Sequence, residues 1–155
     1  MEIKTLIVGP IQENCYIASD PQSQEAVVID PGDEADLIIE YIQEKKLHVN
    51  YILLTHGHHD HIGAVAEVKA ATNALVAIHA DDQMMLTDAG KNLGDIILSP
   101  ADMVLHNNDV ISFGSYHLRV IYTPGHTQGG CCYYEASEKV CFTGDTLFKG
   151  TVGRT

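Results

Sequence analysis

Histidines and an aspartate crowd into seven consecutive residues, Thr55-His56-Gly57-His58-His59-Asp60-His61. Neither a hydrophobic core nor a solvated surface needs such a cluster, whereas a metal ion does. Side chains two apart in an extended chain share a face, so His56 and His58 can grip one ion from the same side. Gly57 between them lets the backbone pass close beneath that ion. Asp60 and His61 are neighbours and diverge unless the chain turns, which a helix starting at Ile62-Gly63 would supply. The spacing therefore suggests two metal positions, one for the alternating pair and one for the adjacent pair. His59 has the wrong parity to join His56 and His58, and reads as a residue that lines the pocket.

These side chains need a rigid support, and the apolar stretch Val49–Thr55 before them reads as a buried strand that ends at the cluster. Upstream, Ile3–Val8, Asn14–Ser19 and Ala26–Asp30 read as consecutive strands, separated by Gly9-Pro10 and Asp20-Pro21-Gln22-Ser23. Asp33 is placed to cap a helix reaching about Lys46, with Leu37, Ile38, Tyr41 and Ile42 at core spacing. A second helix is expected over Gly63–Thr72, then a strand Ala74–His79 and a short helix Asp81–Leu86. Thr87–Pro100 reads as a surface loop. Beyond it, Val110–Phe113, Tyr116–Tyr122, Cys131–Glu135 and Lys139–Thr143 read as strands, with hairpin turns at Gly114-Ser115 and Ala136-Ser137-Glu138. Strand runs flanked by helices point to stacked layers, an α/β or α+β sandwich.

At 155 residues, 45 % of them apolar, the chain suits one globular domain spanning 1–155 and is too small for two. Lys and Arg number 9 against 21 Asp and Glu, a formal net charge of −12. That field argues against nucleic acid and anionic membranes as partners and leaves a small-molecule substrate, whose negative charge bound metal would tolerate. Cys15, Cys131, Cys132 and Cys141 lack zinc-knuckle spacing and all lie in strand-like stretches. Buried free thiols are expected, which fits a reducing cytoplasm. No apolar run approaches membrane-spanning length, and no signal peptide precedes the first strand.

The second half places more donors at strand ends. Pro124-Gly125-His126-Thr127 follows strand Tyr116–Tyr122, and Gly144-Asp145-Thr146 follows strand Lys139–Thr143. Each ligand candidate sits beside a glycine or proline that ends a strand abruptly, as when several strand ends rim one cleft. His48, His79, His106 and His117 have no ligand spacing and read as surface or ordinary polar histidines.

In this order the motifs resemble the metallo-β-lactamase superfamily, and most nearly its glyoxalase-II-like hydrolases, the hydroxyacylglutathione hydrolases and their small bacterial relatives. The resemblance runs from the opening strands through Thr55–His61, Pro124–Thr127 and Gly144–Phe148 to Gly153-Arg154-Thr155. It implies an αβ/βα sandwich with metals at one edge of the paired sheets. It also implies that His56, His58 and His126 hold the first ion, that Asp145 bridges, and that Asp60 and His61 hold the second. Relatives continue through a further helix and strand to another Pro-Gly-His, which supplies the last ligand of the second metal. The resemblance thus implies a chain incomplete at its C-terminal end, with the first site better formed than the second. One flank of the sheet is then either exposed or covered by another copy in a homo-oligomer.

The chemistry expected is hydrolysis of a thioester such as a hydroxyacylglutathione by a hydroxide held between up to two zinc ions. Asp60 and Asp145 are the catalytic carboxylates, with Asp60 orienting the nucleophile, and Thr55 and Thr127 fix ligand orientation. One alternative is a mononuclear iron persulfide dioxygenase using His56, His126 and Asp145, since two histidines and a carboxylate suit non-haem iron; manganese is a further candidate metal. Another is a metal-binding fragment without activity.

Overall fold

The computed structural model describes residues 1–155. Strands β1 (Glu2–Val8), β2 (Glu13–Ser19) and β3 (Glu25–Ile29) form an antiparallel meander. β3 then pairs in parallel with β4 (His48–Leu53), β4 with β5 (Leu75–His79), and β5 with β6 (Met103–Leu105), which completes a six-stranded sheet in sequence order. A second sheet is antiparallel and contains β7 (Val110–Phe113), β8 (Tyr116–Tyr122), β9 (Cys131–Glu135) and β10 (Val140–Phe142), in the order β10-β9-β8-β7. A short ribbon, β11 (Leu147–Phe148) with β12 (Thr151–Val152), ends the chain's regular structure.

The parity of the strands builds the layers. In β3, Ala26 and Val28 join the core on one face of the first sheet, while Val27 and Ile29 join the core on the other. Such two-sided burial is what a central strand covered on both faces of its sheet requires. The first core lies under helices α1 (Ala35–Glu44) and α3 (Val65–Thr72) through Ile38, Ile42, Val65 and Val68. The second lies between the two sheets and includes Phe113, Leu118, Val120, Tyr133 and Phe142. The far face of the second sheet presents exposed Ser112, His117, Arg119 and Cys141. Helices thus cover the first sheet alone, giving a helix–sheet–sheet stack.

Several local expectations need correction. Asp33 does not cap α1: Glu34 occupies the cap with φ 54° and makes no side-chain cap bond. The Asp33 carboxylate instead accepts the Glu34 N–H at 2.6 Å, and Glu34 turns back to accept the Gly9 N–H at 2.8 Å. Thr87–Pro100 is not all loop. It contains α4 (Ala89–Asn92), and buried Asn92 donates to the carbonyls of Met85 and Ile96. Cys15, Cys131 and Cys132 are buried free thiols as expected, but Cys141 is exposed on the open sheet face.

The helix expected from Gly63 is α3, and a separate turn, α2 (His59–Ile62), precedes it. Two close approaches fix α2 against the end of β3. A Cβ on Gly32 would lie 1.7 Å from the Asp60 carbonyl oxygen, and one on Gly63 would lie 2.2 Å from the Gly32 carbonyl oxygen. Ala64 donates its N–H to the Pro31 carbonyl at 2.9 Å across the same contact. Gly32→Ala should therefore force α2 away from the sheet and destabilise the fold by roughly 1–3 kcal/mol. Urea unfolding is the check, and a wild-type midpoint would show that the contact is soft.

Candidate metal centre

The strand directions bring five chain segments to one edge. Asp30 follows β3, Thr55–His61 follow β4, and His79 at the end of β5 leads into a 3₁₀ segment, Ala80–Met85. From the second sheet, β8 runs out into the loop carrying His126, and β10 into Asp145. The Cys131 N–H donates to the Thr55 carbonyl at 2.9 Å and stitches the two sheets together at this edge.

His56, His58 and His126 form a compact triangle. Their ring centroids are separated by 4.8 Å, 4.8 Å and 4.7 Å, with every pair close to perpendicular. His58 Nδ1 faces His126 Nε2 at 3.0 Å. His61 stands beside them, its ring 4.0 Å from that of His56. Asp145 divides its two oxygens between these groups. Oδ2 lies 3.2 Å from His126 Nε2 and 3.8 Å from His56 Nε2, while Oδ1 lies 3.2 Å from His61 Nε2. Asp60 approaches the same His61 nitrogen at 3.5 Å.

Hydrogen bonds behind the triangle set which nitrogens are bare. Thr55 donates its hydroxyl proton to Asp30 Oδ2 at 2.6 Å. Thr55 Oγ1 is then left to accept from His56 Nδ1–H at 3.1 Å, and the lone pair of His56 falls on Nε2. Asp30 also accepts from His61 Nδ1 at 2.9 Å, and the Arg154 carbonyl accepts from His126 Nδ1 at 2.8 Å. In each case the outer nitrogen is tied down and Nε2 turns inward, the arrangement by which partners behind a ligand orient it.

Thr127 acts on the backbone next to His126. Its hydroxyl donates to Asp82 Oδ2 at 2.7 Å, and the Gly129 N–H donates to Asp82 Oδ1 at 2.7 Å. Thr127 thus pins the loop behind His126 and touches no ligand atom through these bonds. Gly57 also has another role: a Cβ there would meet Met85 Cβ at 2.5 Å, so the glycine makes room for the 3₁₀ segment. His59 lines a hollow of about 230 Å³ beside Gly32 and Ile96, and its Nδ1 is buried without a partner. Of the histidines set aside, His48, His106 and His117 are exposed, while His79 is buried and stacks on Tyr122 at 4.3 Å.

Three residues had no place in the motifs. Asp30 and Asp82 are almost fully buried carboxylates, each holding a ligand segment. Glu13, at the start of β2, brings Oε2 to 3.2 Å from His61 Nε2. Its one visible signal is parity, since Glu13, Cys15 and Ile17 fall on the same strand face and the latter two are core.

The donor set fits a cation. His56 Nε2, His61 Nε2 and Asp145 Oδ1 are buried with no hydrogen-bond partner, although other lone pairs lie close by. An unsatisfied buried polar atom costs about 1–3 kcal/mol, and a shared cation would satisfy all three. Three overlapping groups have donor atoms mutually within 4.8 Å: His56 with His58 and His126, His56 with His61 and Asp145, and Glu13 with Asp60, His61 and Asp145.

Protonation separates the two sides. Burial, reinforced by His61, His58 and His126, pushes His56 far below its usual pKa, and burial with His126 lowers His58. Burial also opposes charging His61, but Asp30, Asp145 and Glu13 outweigh it and raise His61 well above its usual value. Asp145 is held low against its own burial by His61 first and His126 next.

Comparison with known proteins agrees with this geometry. The family model of the metallo-β-lactamase superfamily matches residues 8–155. The chain belongs to that superfamily. It is 38 % identical over 162 residues to the probable metallo-hydrolase YqgX of Bacillus subtilis, covering all of this chain and 75 % of that protein. It is 32 % identical over 162 residues to the hydroxyacylglutathione hydrolase GloC of Haemophilus influenzae, covering all of this chain and 76 % of that one. Among solved structures, the BLEG-1 B3 metallo-β-lactamase superposes with a TM-score of 0.93 at 37 % identity, over 99 % of this chain and 77 % of that one. TTHA1623 in a di-iron-bound form gives 0.80 at 33 % identity, over 97 % and 76 %. ETHE1 from Myxococcus xanthus gives 0.82 at 27 % identity, over 100 % and 62 %. Members of this fold bind one or two metal ions, and the His/Asp groups here suit that.

Metal uptake should carry a proton signature. Burial holds His56 and His58 below their usual pKa, so these two imidazoles should release almost no protons on taking up an ion. His61 is protonated at neutral pH, because its pKa is raised, and a metal ion must displace that proton. Calorimetric titration in two buffers of different ionisation enthalpy should show the larger proton release with the equivalent that engages His61. Equal release with both equivalents would contradict the asymmetry.

Proposed function

We propose that this chain is a metal-dependent thioester hydrolase acting on a hydroxyacylglutathione or a close analogue. The observation that carries the reading is Asp145, whose Oδ2 faces the three imidazoles and whose Oδ1 faces His61. A carboxylate so placed can serve two ions at once. Identity to GloC, whose name is hydroxyacylglutathione hydrolase, supports the substrate class.

In this reading His56, His58 and His126 hold the first ion, and Asp60 and His61 hold the second, with Asp145 shared. Bound divalent cations would lower the pKa of water to about 7 and polarise a carbonyl oxygen. The remaining work falls to the chain. Asp30 keeps His61 and, through Thr55, His56 in their orientations. The Arg154 carbonyl and the Asp82 clamp hold the His126 loop. Asp60, 19 % exposed in its side chain, would accept a hydrogen bond from the attacking water. Two clefts flank the centre: one of about 590 Å³ reaches His58 and His126 beside Met84 and Lys91, and one of about 410 Å³ reaches Asp60 and Asp145 beside Phe148 and Lys149. Lys91 and Lys149 are the cations there for the carboxylates of a glutathione moiety.

A second reading, a mononuclear iron persulfide dioxygenase, rests on His56, His126 and Asp145, two histidines and a carboxylate, with Asp145 Oδ2 3.8 Å from His56 Nε2 and 3.2 Å from His126 Nε2. Oxygen uptake separates the two, because hydrolysis consumes none.

Release of free thiol from lactoylglutathione by the metal-loaded chain is the direct assay. The expected result is turnover that stops on chelation and returns with added metal, with no oxygen consumed. Asp145→Ala should lower turnover more than Asp60→Ala, since Asp145 stands between both groups and Asp60 beside one. Near-wild-type turnover in Asp145→Ala would contradict the bridge.

A further inference from the structure

We propose that Glu13 is a metal ligand, and that it makes the position around His61 an oxygen-rich site distinct in chemistry from the three-imidazole position. This rests on the metal-centre reading above and adds a residue that the motif arithmetic does not contain.

The first observation is convergence. Glu13, Asp60, His61 and Asp145 each offer one atom, and the four atoms lie within 4.8 Å of one another. Glu13 Oε2 and Asp145 Oδ1 both stand 3.2 Å from His61 Nε2, and Asp60 Oδ2 stands at 3.5 Å. The second observation is independent of the acidic cluster. The His61 side chain is 0 % exposed, its Nδ1 is engaged by Asp30, and its Nε2 points into the cluster without a hydrogen-bond partner. A fully buried imidazole nitrogen aimed at three carboxylates needs a positive centre between them, and a metal ion can take that place from a proton.

Charge gives the same answer. No lysine or arginine pairs with Glu13, Asp60 or Asp145, and His61 is the sole base all three share. Three carboxylates around one nitrogen repel one another strongly once they are all ionised. A divalent cation removes that repulsion. Glu13 is also held by the sheet and not by a loop: β2 starts there, in register with Val8 of β1. Its carboxylate reaches the cluster from the strand next to β3, whose end carries Asp30.

The ligand chemistry of the two positions then differs. Three imidazoles suit zinc, iron, copper or nickel, whereas three carboxylate oxygens with one imidazole suit harder ions such as manganese. The chain thus presents one nitrogen-rich and one oxygen-rich position, joined by Asp145.

The test is calorimetric titration of metal-stripped wild type and Glu13→Gln with Mn²⁺ alone and with Zn²⁺ alone. Gln is nearly isosteric and keeps one oxygen but loses the charge. The expected result is two equivalents bound by wild type, with the second weakened at least tenfold in Glu13→Gln, the first unchanged, and the loss larger for Mn²⁺ than for Zn²⁺. Uptake of the first equivalent by the variant also reports that it is folded. Two equivalents bound by Glu13→Gln as tightly as by wild type would overturn the proposal. So would loss of both equivalents in the variant, since Glu13 makes no contact with the three-imidazole position. Wild type binding a single equivalent would overturn the Glu13 site and leave the three-imidazole position standing. Wild type binding none would overturn both.

Discussion

The carboxylate of Asp30, 1 % exposed, accepts the Thr55 N–H at 2.8 Å, the Thr55 hydroxyl at 2.6 Å and the His61 Nδ1–H at 2.9 Å. Those three bonds tie the end of β3 to the end of β4 and to α2, and they decide the tautomers of His56 and His61 together. Asp30 takes φ 52°, a conformation that aspartate tolerates better than branched residues do. The strain is small beside what depends on it. Without this acceptor, the Thr55 donors and His61 Nδ1 would be buried and unpaired, at about 1–3 kcal/mol each. Both metal groups would lose the partner that aims them.

The sheet explains why the ligands can meet at all. Its strands are antiparallel from β1 to β3 and parallel from β3 to β6. The parallel half delivers Asp30, the histidine cluster and the Asp82 segment at one edge, where open α/β sheets place their ligands. The antiparallel second sheet sends β8 and β10 toward the same edge, one strand apart, which supplies His126 and Asp145. Glu13 comes from the start of β2, since an antiparallel neighbour of β3 begins where β3 ends. Strand direction alone therefore brings residues far apart in sequence to one place.

Much of this could be read from the residues. Asn14–Ser19, Val110–Phe113, Tyr116–Tyr122 and Cys131–Glu135 were legible as strands because apolar parity and turn residues agree there. The motif donors were legible because His56, His58, His126 and Asp145 each lie just past a strand with a glycine beside them, and Asp60 and His61 follow directly. What stayed hidden depended on distant contacts. β6 is a three-residue edge strand whose pairing with β5, and not its composition, defines it. α4 is held by Asn92 bonding to two loop carbonyls, which no local pattern encodes. α2 stands apart from α3 where Gly32 packs against the Asp60 backbone and Gly63 against the Gly32 carbonyl. Asp30 read as the last residue of a strand and Asp82 as part of a short helix, since their partners lie on other elements. Glu13 fell just outside the strand read as Asn14–Ser19, and only its parity with Cys15 and Ile17 hinted at a place on the buried face.

The central claim is a two-ion centre shared through Asp145, and X-ray absorption at the metal edge of the chain loaded with two equivalents tests it most directly. The account predicts imidazole scattering together with a metal–metal vector at about 3.5–4 Å, the separation usual for paired catalytic ions. Imidazole scattering with no metal–metal vector at two bound equivalents would contradict it.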